Sequence, residues 1–150
     1  MTAEAETCAH MMAASDPWKT LGRGYEASLT IIQDPHRELY IAKQSEQIAG
    51  FIILVMQGAF TGYIQSICVA PAMRGHKIGS QLMTFAEERI FRETPNIFIC
   101  VSSFNKDALR LYKRLGFDVV GELANYIVEG HSEILMRKTI GAKATFQPQS

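Results

Sequence analysis

The sequence predicts an α/β (α+β) domain, a sheet sandwiched by helices, and three observations predict it. Ile48 to Met56 is an almost wholly apolar run, as expected of a strand buried on both faces. Helix-like patterns occupy the first quarter of the chain, and strand-like and helical segments then interleave. Through the centre the order is strand, loop, helix, strand, helix, strand.

Taken in order, residues 3 to 14 are rich in Ala, Glu and Met and read as a helix that ends before Ser15-Asp16-Pro17. Asp16 as cap and Pro17 in the first turn predict a second helix through Trp18, Leu21, Tyr25, Leu29 and Ile32. Glu38 to Lys43 alternates as a strand, and Gln44 to Gln47 reads as a hairpin turn into the apolar strand. Tyr63 to Val69 is a further strand, stopped by Pro71. Residues 78 to 92 read as a helix with Ile78, Leu82, Phe85, Ala86 and Ile90 on its inner face. Ile97 to Val101 reads as a short buried strand, and Asn105 to Leu115 as a helix closed by Gly116. Phe117 to Leu123 and Glu133 to Lys138 make the last two strands. Residues 1–140 are expected to form a single domain, and 141–150, without apolar periodicity, a flexible tail.

Composition narrows the function classes. Fifteen basic residues balance fifteen acidic ones, so no global field steers the chain to nucleic acid or an anionic membrane. The longest apolar run is interrupted by Gly50 and is too short to span a bilayer, and the acidic N-terminus does not resemble a signal peptide. Cys8, Cys68 and Cys100 are odd in number and widely spaced, fitting neither a disulfide framework nor a metal knuckle. The expectation is a reduced, cytoplasmic protein with no metal, no nucleic-acid partner and no membrane partner.

The first segment that carries chemistry runs from Ser66 to Ser80. A strand ends, a short basic and glycine-containing loop follows, and a long helix begins. The first amides of that helix have no internal partner and sit at the positive end of its dipole. Gly75 and Gly79 permit close approach of a ligand, and Arg74, His76 and Lys77 add charge, so the loop suits a phosphate or pyrophosphate. The Walker loop does not fit, because Lys77 precedes Gly79, and the dinucleotide fingerprint lacks a glycine.

The loop resembles the acetyl-CoA loop of the GNAT superfamily, Gln/Arg-x-x-Gly-x-Gly/Ala, with Arg74 first and Gly79 last. Lys77 stands where the middle glycine is usual; if that position needs positive φ, lysine is strained by about a kcal/mol or more. Asn105-Lys106-Asp107-Ala108-Leu109-Arg110-Leu111-Tyr112-Lys113-Arg114-Leu115-Gly116-Phe117 resembles the second signature of that superfamily, Asn-x-x-Ala-x-x-x-Tyr-x-x-x-Gly-Phe. Ala108 and Tyr112 lie four apart on one helical face. The resemblance covers about residues 36 to 138.

The resemblance implies a mixed, mostly antiparallel central sheet with a splayed parallel pair, flanked by helices, and acetyl-CoA as cosubstrate without a metal. It implies cofactor contacts from Ile67, Cys68, Val69, Arg74, Gly75, His76, Lys77, Ile78, Gly79, Ser80, Asn105 and Tyr112. Amides near Ile67, Cys68 and Val69 become candidates for holding the thioester oxyanion, and Tyr112 the general acid toward the departing sulfur. Cys100 occupies the place at which similar N-terminal acetyltransferases often carry a glutamate base. Glu133, His131 and Glu129 are alternatives acting through water, or simply surface and turn residues. Cys68 and Cys100 themselves read as small core residues.

On the substrate side, Trp18 and Tyr126 are candidate binding residues, and Asn125-Tyr126 resembles a stretch of ribosomal-protein N-terminal acetyltransferases. Trp18 is equally a core aromatic, and Asp16 either a helix cap or an ammonium partner. The expected acceptor is a primary amine, a peptide or protein N-terminus or a small molecule. A non-catalytic acyl-CoA-binding module and a nucleotide-binding regulatory domain are the competing readings. A homodimer through exposed strand edges is plausible by resemblance.

Overall fold

The computed structural model describes residues 2–149; Met1 and Ser150, the last residue of the expected tail, lie outside the described residues. The first elements among the described residues are helix α1 (Ala3–Ala13), whose first turn Thr2 caps with its side chain, and α2 (Tyr25–Ile32). Six strands follow: β1 (Glu38–Gln44), β2 (Gln47–Val55), β3 (Tyr63–Val69), β4 (Asn96–Ser102), β5 (Asp118–Ala124) and β6 (Ser132–Thr139). Helix α3 (Ile78–Phe91) links β3 to β4, and α4 (Lys106–Arg114) links β4 to β5.

All six strands form one sheet in the order β1-β2-β3-β4-β6-β5. Every neighbouring pair is antiparallel except β3 and β4, which are parallel. The expected mixed, mostly antiparallel sheet with one parallel pair is therefore present, flanked by four helices.

The apolar run is the keel of the fold. Phe51, Ile52, Ile53 and Leu54 are all completely buried, and alternation divides them between two cores. Ile52 and Leu54 join Leu82, Ala86 and Ile90 of α3, whereas Phe51 and Ile53 meet Ala9 and Met12 of α1 and Leu29 of α2. Each such side chain contributes about 1.5–3 kcal/mol by leaving water, so the two helical layers are fixed to the sheet through this one strand.

Two expectations need correction. The second helix does not start at Pro17: residues 16–22 form turns, Gly22 lies at φ 71°, and α2 begins only at Tyr25. Phe85 does not face the core; it is 40 % exposed, and Met83 is buried in its place. Phe85 instead packs against Tyr40, with ring centroids 4.6 Å apart.

The segment expected as a flexible tail contains a short 3-10 turn, Lys143–Thr145, and the Gln149 N–H donates to Arg92 O at 2.8 Å. Among the described residues no helix is long and apolar enough to cross a membrane.

Candidate active site

The site begins where β3 and β4 part. They pair only at Tyr63–Phe98 and Ile64–Ile99. The closed end is tied by Gly62, whose carbonyl accepts from the Phe98 N–H at 3.0 Å. Beyond Ile64 each strand follows its other neighbour. The β2–β3 register slips so that Gln65 is extra, a bulge that turns β3 away, while β4 stays paired with β6 over its whole length.

The gap is a cleft of about 120 Å³ lined by Ser66 and Ile67 of β3, Cys100 and Ser102 of β4, Tyr112 of α4 and Glu133 of β6. On one side it continues into a groove of about 590 Å³, sharing Ile67, Asn105 and Ala108 with it and running past Val69 to Arg74. On the other it meets an apolar pocket of about 270 Å³, with Tyr63 and Cys100 common to both. Arg74 and the basic loop thus mark one mouth of a continuous passage, and an aromatic pocket marks the other.

Hydrogen bonding sorts the strand amides. Ala70 N–H donates to Ala49 O at 2.8 Å, toward β2. Since amides alternate along a strand, Cys68 N–H also faces β2, while those of Ile67 and Val69 face the gap. Of the three expected amides, those of Ile67 and Val69 face the gap and that of Cys68 does not. The Cys68 side chain is buried with the α1–α2 core and its thiol bonds Ser15 Oγ at 3.7 Å.

At the basic mouth, Arg74, Gly75, His76 and Lys77 are exposed, Ile78 tucks its side chain into the core, and Gly79 and Ser80 complete the first turn of α3. Lys77 is the residue preceding α3 and lies at φ 63°, ψ 18°, the left-handed conformation that glycine would adopt freely. No side chain caps this helix end, which leaves its first amides to the loop. The arrangement fits the pyrophosphate of a coenzyme A molecule whose pantetheine arm follows the groove. A second observation fits too: the Ser66 hydroxyl is buried in the cleft with no hydrogen-bond partner among the described residues, a polar atom suited to a ligand's amide or carbonyl.

Tyr112 is the one buried residue of α4, and its ring stands edge-on to Phe117 at 5.8 Å. Burial alone pushes its hydroxyl from the usual 10 up to about 12, so it enters neutral-pH chemistry fully protonated. Asn105 caps α4, its side-chain oxygen accepting from Ala108 N–H at 3.3 Å, which leaves the amide NH2 for a ligand.

Glu133 departs from the surface or turn reading. It is only 3 % exposed, on the cleft wall, and Ser102 donates to its Oε2 at 2.6 Å. Burial raises its pKa, opposed by the Ser102 hydrogen bond and by the charge of His131. The strand register explains why: Ser102 and Glu133 are direct cross-strand partners, one step from Cys100 and Leu135 on the same face. Ser102, Ser66 and Glu133 carry no local motif, and only pairing across 31 positions brings Ser102 to Glu133.

Among the other expected residues, Trp18 lines both cleft and groove, and Tyr126, 59 % exposed, lines the apolar pocket. Asp16 caps no helix, since residues 16–22 form turns; its carboxylate braces that turn, accepting from the Thr20 N–H at 3.0 Å and from its hydroxyl. Asn125 is a turn residue at φ 57° whose side chain accepts from Gly130 N–H at 2.8 Å. Among the described residues no group of three His, Cys, Asp or Glu side chains could hold a metal.

A parallel strand pair prised open beside a helix start, with a buried tyrosine over the gap, is the architecture of an acyl-coenzyme A transferase. The chain belongs to the acetyltransferase (GNAT) family, whose sequence profile matches residues 4–117. It is 34% identical to the aminoalkylphosphonate N-acetyltransferase of Salmonella typhimurium over 63% of this chain. It is 28% identical to the N-alpha-acetyltransferase RimI of Mycobacterium tuberculosis over 93% of this chain and 89% of that one. The matched stretch spans 63% of the Salmonella enzyme and 27% of the mycothiol acetyltransferase of Brachybacterium faecium. In fold it is similar to an aminoglycoside 6'-N-acetyltransferase complexed with coenzyme A, with TM-score 0.73, 20% identity and coverage of 92% of this chain and 91% of the other.

Proposed function

We propose that this chain is an N-acetyltransferase that moves an acetyl group from acetyl-CoA to a primary amine by direct attack, with Tyr112 as general acid. The observation that carries the reading is the passage through the sheet between β3 and β4, with a basic helix start at one mouth and buried Tyr112 and Glu133 at its narrowest part. It lets an acyl donor and an amine approach the same point from opposite sides.

Acetyl-CoA supplies an electrophilic thioester carbonyl and a sulfur that leaves as thiolate. The gap-facing amides of Ile67 and Val69 hold the oxygen that becomes negative, in a cleft dry enough to make each hydrogen bond count. Tyr112 donates its phenolic proton to the leaving sulfur. The amine must shed a proton as it attacks, and an α-amine of pKa about 8 is about a tenth neutral at pH 7, against less than about a thousandth for a lysine amine. The passage therefore favours low-pKa amines unless a carboxylate assists.

Calorimetric titration with acetyl-CoA tests this, with coenzyme A and ATP as controls, followed by thiol release in the presence of amines. Binding of acetyl-CoA in preference to ATP, with amine-dependent thiol release, is expected. Absence of binding at millimolar ligand would remove the enzymatic reading and leave the fold.

A further inference from the structure

The apolar pocket at the second mouth has a form that bears on the acceptor. Its floor is Phe98 and Leu135, its rim Phe60, Leu123 and Tyr126, and it joins the cleft at Tyr63 and Cys100. Phe60 stands edge-on to Phe98 at 5.3 Å, so the wall is organised rather than a chance exposure. Among the described residues, the only acids lining cleft and pocket are Asp16, engaged with Thr20, and buried Glu133. Among the described residues no Lys, Arg or His lines either one. The His131 imidazole stands edge-on to Phe104, with ring centroids 5.5 Å apart.

We propose that the acceptor is a primary monoamine bearing one aromatic or branched aliphatic group, with that group seated in the Phe60–Phe98–Tyr126 pocket and the ammonium facing Glu133. This deepens the acetyltransferase reading and rests on it. The volumes agree: an apolar cavity of about 150 Å³ accommodates benzene, and this one offers about 270 Å³, room for a ring and a short linker. The charges agree as well. One buried carboxylate balances one ammonium, whereas a phosphonate has no cation to meet and a polycation has no second buried acid. The proton balance closes on the same residues. The ammonium gives one proton to the Glu133 carboxylate, the freed nitrogen forms the C–N bond as the C–S bond breaks, and Tyr112 protonates the sulfur. The second nitrogen proton passes to the Tyr112 phenolate as the neutral amide forms; Glu133 then returns its proton to solvent.

The test is a panel of amines at saturating acetyl-CoA: phenylethylamine, a tripeptide amide beginning with Phe, the same peptide beginning with Ser, aminoethylphosphonate and an aminoglycoside. Phenylethylamine or the Phe peptide should exceed the phosphonate and the aminoglycoside in kcat/KM by about tenfold or more, the factor expected from burying an aromatic ring. Which of the two is faster tells whether a free amine or a peptide N-terminus is the source. The double variant Phe60→Ala/Tyr126→Ala alters two exposed side chains, so it should fold. It should raise KM for phenylethylamine about tenfold while leaving KM for acetyl-CoA within twofold. Preference for the phosphonate, the aminoglycoside or the Ser peptide, or a double variant with unchanged selectivity, overturns the assignment while the acetyltransferase reading stands. Acetyl-CoA bound but no panel amine acetylated has the same meaning, and failure to bind acetyl-CoA overturns both.

Discussion

Replacing Tyr112 with Phe is the sharpest probe of the chemistry, because the structure separates its catalytic effect from its structural one. The change removes a single oxygen from a ring that is 6 % exposed and packed on Phe117. Among the described residues that hydroxyl makes no hydrogen bond to the protein, and burial is the sole cause of its raised pKa. The stability cost at neutral pH is therefore expected within about 1 kcal/mol, since no partner is orphaned. Loss of the proton donor should lower kcat by a factor of about 10²–10⁴, with KM for acetyl-CoA changed only a few-fold.

Titration gives an internal control for Tyr112. Its folded pKa of about 12 lies above the ordinary 10, so its neutral form is favoured by folding. The stabilisation is complete below 10 and lost as pH rises toward 12, in all about 3 kcal/mol. Tyr112→Phe has no such loss, so it should gain on the wild type in urea melts made above pH 10. Thiol-release kinetics at neutral pH supply the other half of the test. A variant that kept kcat within threefold of the wild type would refute Tyr112 as the acid, and one with equal alkaline stability would refute its burial.

Three further outcomes are expected. Lys77→Gly removes about 1–2 kcal/mol of left-handed strain against about 0.5–1 kcal/mol of added chain entropy, so thermal melts should rise by up to about 6 °C rather than fall. Glu133→Gln keeps an oxygen for the Ser102 hydroxyl but cannot ionise. The wild-type carboxyl has a raised folded pKa, so its contribution is intact below the ordinary 4.5 and lost as pH climbs through the folded value; the variant should be relatively more stable at neutral pH than at acid pH, and slower in acetyl transfer. Gly62→Ala, at φ 94°, would drive a Cβ into Asn96 O at the tie between β3 and β4, and denaturant midpoints should show a loss of about 2 kcal/mol or more.

Much of this molecule is written locally. The Ile48–Met56 run becomes β2 because no polar residue interrupts its burial, and α1, α3 and α4 arise within a residue or two of their apolar and capping signals. The loop from Arg74 to Gly79 and the Asn105 to Phe117 segment are readable for the same reason: a helix start and a four-residue spacing are set by neighbours in sequence. Even the strain at Lys77 follows from its place in the loop, and the structure finds it at φ 63°.

The rest depended on distance. Trp18 to Tyr25 does not continue a helix, because residues 16–22 form turns despite their apolar spacing, and Phe85 lies outside the core against half-buried Tyr40. The bulge at Gln65, the width of the β3–β4 gap, and the aim of the Ile67 and Val69 amides depend on pairing with β2 and β6. Glu133 looked like a residue at the mouth of a hairpin, and only its register opposite Ser102 shows a buried carboxylate in the cleft. The sequence by itself determined the elements and the donor-binding signatures, because these are short-range. The tertiary structure alone decided which carboxylate and which aromatic rings line the β3–β4 cleft and the pocket beside it, because pairing across a sheet leaves no local mark.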